Sequence, residues 1–260
     1  MTDGIAEDGV GLEITGGVGT VTIDAPPVNA FTMRRYEKLA EIFEDLQSRE
    51  DIHCVILTAT GSRAFCAGMD VNEFLAQPVE DDDRRQAIGL RAFDALAGCT
   101  VPVIAAVNGP ALGAGAVLAS LCDMRIAATS ATFGLPEINV GRCGGAAFVG
   151  RLVPQGTVRR MFFTGEAIGS AEAYRVGLVE EVVADDELLG AALQLAGKIA
   201  VKSPLGLRIG KEALDAAEGL PARDGYMLEQ TFSAKLVRTV DSREALRSVV
   251  EKRPPVFVGR

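Results

Sequence analysis

Three loops of this 260-residue chain, at positions 64–70, 108–115 and 133–145, follow strand-like runs and are rich in small residues. Glycine in such a place lets the backbone approach a ligand closely. A helix that follows aims unpaired N–H groups and a positive dipole end at the same space. Ligands tend to bind at the strand ends of an α/β sheet, and donors of this kind suit a phosphate or an oxyanion. Glu137 lies in the third loop, after Leu135-Pro136 and before Gly141, among apolar neighbours. It reads either as a helix-capping or surface acid, or as a base whose pKa its surroundings raise.

Other chemistries lack their parts. Gly113-Ala114-Gly115 begins like a dinucleotide fingerprint, but Leu118 occupies the third glycine position and no acid follows about twenty residues on in the expected context. The Gly-Lys-Ser/Thr ending of a phosphate-binding loop is absent. A Ser-His-Asp or Cys-His arrangement needs histidine, and the single one, His53, opens a strand-like run as a structural or surface residue would. Cys54, Cys66, Cys99, Cys122 and Cys143 are odd in number and widely spaced, which suits neither a disulfide framework nor zinc. Reduced thiols and no metal site are expected. The net charge of −9 argues against general binding to nucleic acid or anionic membranes, while leaving room for a local basic patch. The first twenty residues lack a basic start followed by an apolar run. The richest apolar stretch, 101–121, is broken by Pro102, Asn108, Gly109 and Pro110, short of the roughly 18–20 residues a bilayer span requires. A soluble cytoplasmic protein without membrane or nucleic-acid partners is expected.

The elements that must position these loops alternate. Apolar segments at 12–14 and 18–23, separated by Gly16-Gly17, predict a β-hairpin. Tyr36, Leu39, Ala40, Phe43 and Leu46 recur at helical spacing. Cys54-Val55-Ile56-Leu57 and the run 103–107 predict buried strands, 113–121 a small-residue helix, and 124–127 another strand. Four acids at 80–83 predict a solvated loop or helix start. This alternation, continuing to about residue 183, is the pattern of an α/β architecture. From about Asp185 the pattern is helical only, giving an expected core at 1–184 and a helical region at 185–260 that docks on the core or on another subunit.

Beyond these patterns, FCAGMD (65–70), AAVNGPALGAG (105–115), CDMRIAA (122–128), TFGLPEINVG (132–141) and TGEAIGSAEAYRVGLVEEVV (164–183) follow one another with the spacing of crotonase-like proteins. The early APPVNAF and the late VEKRPPVF also resemble that enoyl-CoA hydratase/isomerase family. The resemblance implies a spiral of ββα units with a helical C-terminal region used in homotrimers or dimers of trimers. It implies acyl-CoA thioester substrates, with coenzyme A entering as part of the substrate and no further cofactor. By position, the oxyanion donors are the N–H groups of Met69 and Ala114, and Glu137 is the acid–base residue. Val28, Ala67, Asp70 and Val71 match segments that contact CoA, and Lys252 matches a basic residue that reaches the nucleotide phosphates from a neighbouring subunit. Lysines common in relatives are here Pro26 and Asn72, so the basic cradle is thinner.

The main departure is Val117, where typical hydratases of the family carry a second glutamate. A single carboxylate suits removal of a proton from C2 of a 3-enoyl thioester and its return to C4. The expectation is therefore an enoyl-CoA isomerase. The alternatives are a hydratase or hydratase-lyase, or a CoA-binding protein without catalysis. Glu73 is the nearest candidate for a replacement acid, and Arg142 either lies near Glu137 or points to solvent.

Overall fold

The computed structural model describes residues 8–260, so the first seven residues of the expected core lie outside it. β1 (Val10–Thr15) and β2 (Val18–Ile23) form the antiparallel hairpin, with Thr15 opposite Val18. The chain then enters α1 (Met33–Ser48), where the Thr32 hydroxyl accepts from Arg35 N–H and caps the first turn. The apolar stripe of α1, Tyr36, Leu39, Ala40, Ile42, Phe43 and Leu46, is buried as its spacing predicts. Each large side chain on it contributes about 1.5–3 kcal/mol by leaving water.

β3 (Cys54–Ala59) lies parallel to β2. After it come α2 (Val71–Ala76) and α3 (Asp82–Ala97). The acids at 80–83 form a short 3-10 turn and the start of α3, where negative charge complements the helix dipole. β4 (Val103–Val107) leads through β5 (Ala111–Leu112) into α4 (Ala114–Leu121). β6 (Met124–Ala128) and β7 (Thr132–Gly134) precede α5 (Ala146–Val149) and α6 (Gln155–Thr164). β8 (Ile168–Gly169), α7 (Ser170–Arg175) and β9 (Glu181–Val183) complete the alternating part.

The large sheet runs β1-β2-β3-β4-β6-β9 and is parallel from β2 onward. Its central strands are apolar at successive positions because both faces are covered. Val55, Leu57, Val103 and Ala105 face a core shared with α1, α3 and α4. Cys54, Ile56, Ile104, Ala106 and Ile126 face a second core closed by Leu188, Ala192 and Ala196. Those three residues belong to α8 (Leu188–Ala200), the first of four helices that end the chain. The others are α9 (Pro204–Ala217), α10 (Ala222–Leu236) and α11 (Val240–Glu251).

A second, narrower ladder runs beside the first. β5 and β7 pair parallel, β7 and β8 antiparallel, and single bridges Phe31–Met69 and Cys66–Ala111 extend it. Successive turns of chain thus give one strand to the long sheet, a short strand or bridge to the narrow ladder, and then a helix. This is the spiral of ββα units. Among the described residues, no helix is long and apolar enough to cross a membrane.

Candidate functional site

The narrow ladder brings the three glycine-rich loops together. Cys66 N–H donates to Pro110 O and Leu112 N–H to Cys66 O, which ties the first loop to the second. Gly113 N–H donates to Gly134 O at 2.9 Å, which ties the second to the third. Asn29 fixes a fourth segment: its side chain accepts from Ala25 N–H and donates to Thr60 O and Ala64 O. Ala67 N–H then reaches Val28 O at 3.1 Å, so these two expected CoA-contacting residues are neighbours. Asn29 was not singled out in the sequence; its only signal is its place after Pro-Pro-Val and before α1.

The expected oxyanion donors have the right surroundings. Gly68 O and Asp70 N–H on either side of Met69 bond to Phe31, while Met69 N–H makes no hydrogen bond among the described residues. Ala114 is the first residue of α4, and its N–H likewise has no partner among them, as the geometry of a helix start dictates. Positive φ falls on Gly113 (54°), so Ala114 keeps an ordinary helical backbone and donates as glycine would. A Cβ on Gly68 would stand 3.8 Å from Ala114 N, which puts the two loops in direct contact. Gly115 permits that closeness: a Cβ there would lie 2.2 Å from Cys66 O.

Glu137 opens a 3-10 turn, Pro136–Val140, with Arg142 N–H donating to its carbonyl at 2.9 Å. Its carboxylate lies over the same space. A Cβ built on Gly113 would meet Oε1 at 3.0 Å, and one on Gly145 would lie 3.8 Å from it. Oε2 is buried and has no hydrogen-bond partner among the described residues. Burial pushes the Glu137 carboxyl above its ordinary range, and no charged neighbour contributes to the shift. A half-buried carboxylate held beside two unpaired N–H groups is neither a cap nor a surface acid. It has the attributes of a general base.

The structure settles other readings. Val117 is buried against Gly145. Glu73 is engaged at the start of α1, where its carboxylate accepts from Met33 N–H at 2.8 Å. Arg142 points neither at Glu137 nor freely into solvent: it pairs with Asp82 at 2.8 Å and stacks on Phe74. His53 Nδ1–H donates to Ala200 O at 2.9 Å, a structural tie to α8. Asp70 caps α2, accepting from Asn72 and Glu73 N–H, and Val71 follows it exposed. Lys252 stands apart in this chain, exposed in the left-handed cap of α11, which packs on α9. Cys66, pushed up to about 12 by burial, remains a thiol.

An aromatic wall, of which the sequence patterning named only Tyr36, also borders the site. Phe31, Tyr36, Phe93 and Phe148 stack in series, with centroid separations of 4.9, 5.9 and 6.1 Å. Burial, with smaller contributions from Cys66, Glu137 and Glu73, holds the Tyr36 phenol protonated.

Residues 13–260 match the family model described as enoyl-CoA hydratase/isomerase. The chain is 36% identical to the 2,3-dehydroadipyl-CoA hydratase of Escherichia coli, over 92% of this chain and 94% of that one. It is 40% identical to the (7aS)-7a-methyl-1,5-dioxo-2,3,5,6,7,7a-hexahydro-1H-indene-carboxyl-CoA hydrolase of Mycobacterium tuberculosis, over 85% and 89%. A crystal structure of an enoyl-CoA hydratase from Bacillus anthracis superposes with a TM-score of 0.93 at 31% identity, covering 97% of this chain and all of that one.

Proposed function

The chain belongs to the enoyl-CoA hydratase/isomerase family, and on that premise we propose that it transfers a proton at C2 of an enoyl-CoA thioester through Glu137. The observation that carries the reading is the half-buried Glu137 carboxylate, with Oε1 against the Gly113–Ala114 turn and Oε2 buried without a hydrogen-bond partner among the described residues. The thioester oxygen accepts from Met69 and Ala114 N–H, and the negative charge that develops on it in the enolate is held by donors already in place. Each such donor contributes about 10²–10³-fold in rate.

Two reactions use this step. In hydration, ionised Glu137 takes a proton from water as the hydroxyl adds to C3, and protonated Glu137 then gives that proton to C2 of the enolate. In double-bond migration, Glu137 takes the C2 proton of a 3-enoyl thioester and returns it to C4. The single carboxylate led sequence reasoning to prefer migration. The names of relatives, including the 2,3-dehydroadipyl-CoA hydratase and the Clostridium acetobutylicum short-chain-enoyl-CoA hydratase, shift that preference to hydration. Hydration is accordingly the first reading. Migration is the second, favoured by apolar Val117 where two-glutamate hydratases have an acid.

In the same proposal CoA lies along Val28, Ala67, Asp70 and Val71, with Lys252 reaching its phosphates from a neighbouring subunit. The region 185–260 would supply the trimer contacts. It carries exposed apolar side chains, among them Leu214, Tyr226, Leu246 and Val250, that a subunit interface would cover. The test is an assay on trans-2-enoyl-CoA and 3-enoyl-CoA of several lengths, following conjugated-thioester absorbance and product mass, with Glu137→Gln as control. A glutamate-dependent water adduct supports hydration, and a glutamate-dependent 2-enoyl product without water supports migration. Wild-type turnover by Glu137→Gln on either substrate would remove Glu137 from the mechanism.

A further inference from the structure

A cluster that the proton transfer does not use joins the Glu137 loop to α3. Arg142 and Arg85 both bond Oδ1 of Asp82, at 2.8 and 2.7 Å. Both guanidinium groups stand over the Phe74 ring, 4.6 and 4.2 Å from its centroid. Two cations therefore share one carboxylate oxygen, and the other oxygen accepts from Gln86 Nε2 at 2.8 Å. The adjoining acids Glu80, Asp81 and Asp83 are exposed and form no ion pair with either guanidinium among the described residues. Glu73 is occupied at Met33 N–H. One positive charge is left over.

Arg85 shows what is missing. It is only 7% exposed, yet its Nε has no hydrogen-bond partner and its Nη1 reaches only Gln77 Oε1, at 3.5 Å. Open donors on a buried guanidinium cost the desolvation of that group unless an acceptor arrives. The acceptor whose plane and two oxygens match a guanidinium is a carboxylate. Phe74 supplies the apolar flank on which an acyl chain can lie.

The cluster's place in the fold fits the far end of an acyl group. Phe74 lies four residues beyond Asp70, about 6 Å further along α2 from the oxyanion loop at 1.5 Å per residue. Arg142 follows Glu137 by one turn, its N–H on the Glu137 carbonyl. The cluster thus bridges the loop that carries an oxyanion donor and the loop that carries the base. We infer that the substrate's acyl group ends in a carboxylate, received by Arg142 and Arg85 beside Phe74. This assignment rests on the enoyl-CoA reading above.

The test measures calorimetric affinity of the full chain for glutaryl-CoA and pentanoyl-CoA, saturated thioesters that differ only in the terminal carboxylate. Binding is thereby read without turnover. Glutaryl-CoA is expected to bind about 10- to 100-fold more tightly, the range of one or two charge-assisted hydrogen bonds. Arg142→Gln should erase that preference and leave pentanoyl-CoA affinity unchanged; the Arg142 side chain is 37% exposed, so its replacement leaves no core cavity. Arg142→Lys should keep part of the preference. Equal affinities in the wild type overturn the assignment and leave the enoyl-CoA reading standing. Equal weakening of both thioesters by Arg142→Gln also overturns it, since the guanidinium would then read the CoA phosphates. Failure of both thioesters to bind overturns this assignment and the proposed function together.

Discussion

The two walls of the proposed site are made of different material. On one, Met69 and Ala114 contribute only backbone N–H groups, and their side chains could change without changing the donor. Position there is set by the narrow ladder and by close approaches at Gly113 and Gly115. On the other wall, Glu137, Val117, Arg142 and Arg85 act through side chains. The first wall is therefore broken only by distorting the backbone, whereas the second is retuned by single substitutions. A scaffold divided in this way keeps its charge-holding device fixed while the proton-transfer partner and acyl contacts vary.

The largest expected effect is on the side-chain wall. Glu137→Gln should lower turnover by about 10²–10⁴-fold while thioester binding survives, measured by steady-state kinetics and calorimetry. On the backbone wall, Gly113→Ala should come next, with a loss of about 10²–10³-fold in kcat. An alanine there is forced to φ 54° and its Cβ would meet Glu137 Oε1 at 3.0 Å, so it disturbs both walls at once. Normal turnover in that variant would separate the turn from the chemistry. Gly115→Ala tests the backbone wall through stability instead: a Cβ 2.2 Å from Cys66 O should cost about 1–3 kcal/mol in denaturant unfolding.

Val117→Glu sharpens the side-chain wall. It should raise hydration relative to double-bond migration several-fold, read from product ratios, because a second carboxylate then positions water. The smallest expected effect concerns pH. Burial raises the folded-state pKa of Glu137 above its unfolded value, so the unfolded state ionises first as pH rises. The resulting destabilisation is absent below the ordinary carboxylate range and complete above the raised value. Glu137→Gln should thus melt slightly higher than wild type at neutral pH, with the difference vanishing near pH 4. The same shift places the acid limb of kcat/KM above that of an ordinary glutamate.

Much of the long sheet was legible because its strands are apolar runs and its helices carry full stripes. The five positions named for α1 follow from helical periodicity, and β3 from its unbroken apolar run. The narrow ladder was not legible. β5 and β8 have two residues each and β7 three, too short for any period to show. Yet that ladder assembles the site. Glu137 could be found as an acid between apolar neighbours, but the space its carboxylate occupies is bounded by Gly113 and Gly145, from different loops. Arg142 stayed ambiguous because its partner, Asp82, lies sixty residues away in sequence. Arg85 carries no signal in the sequence that sets it apart from other charges, and only packing against Phe74 shows it buried.

The central claim is that Glu137 exchanges a proton with C2 of a thioester whose oxygen the backbone wall holds. The direct measurement is incorporation of solvent deuterium at C2 during turnover in heavy water, located by mass spectrometry of the product. Hydration of a 2-enoyl-CoA by wild type should place one deuterium at C2, and Glu137→Gln should abolish it while still binding the thioester. Undiminished C2 labelling in Glu137→Gln, or hydration that leaves C2 unlabelled in the wild type, would contradict the account.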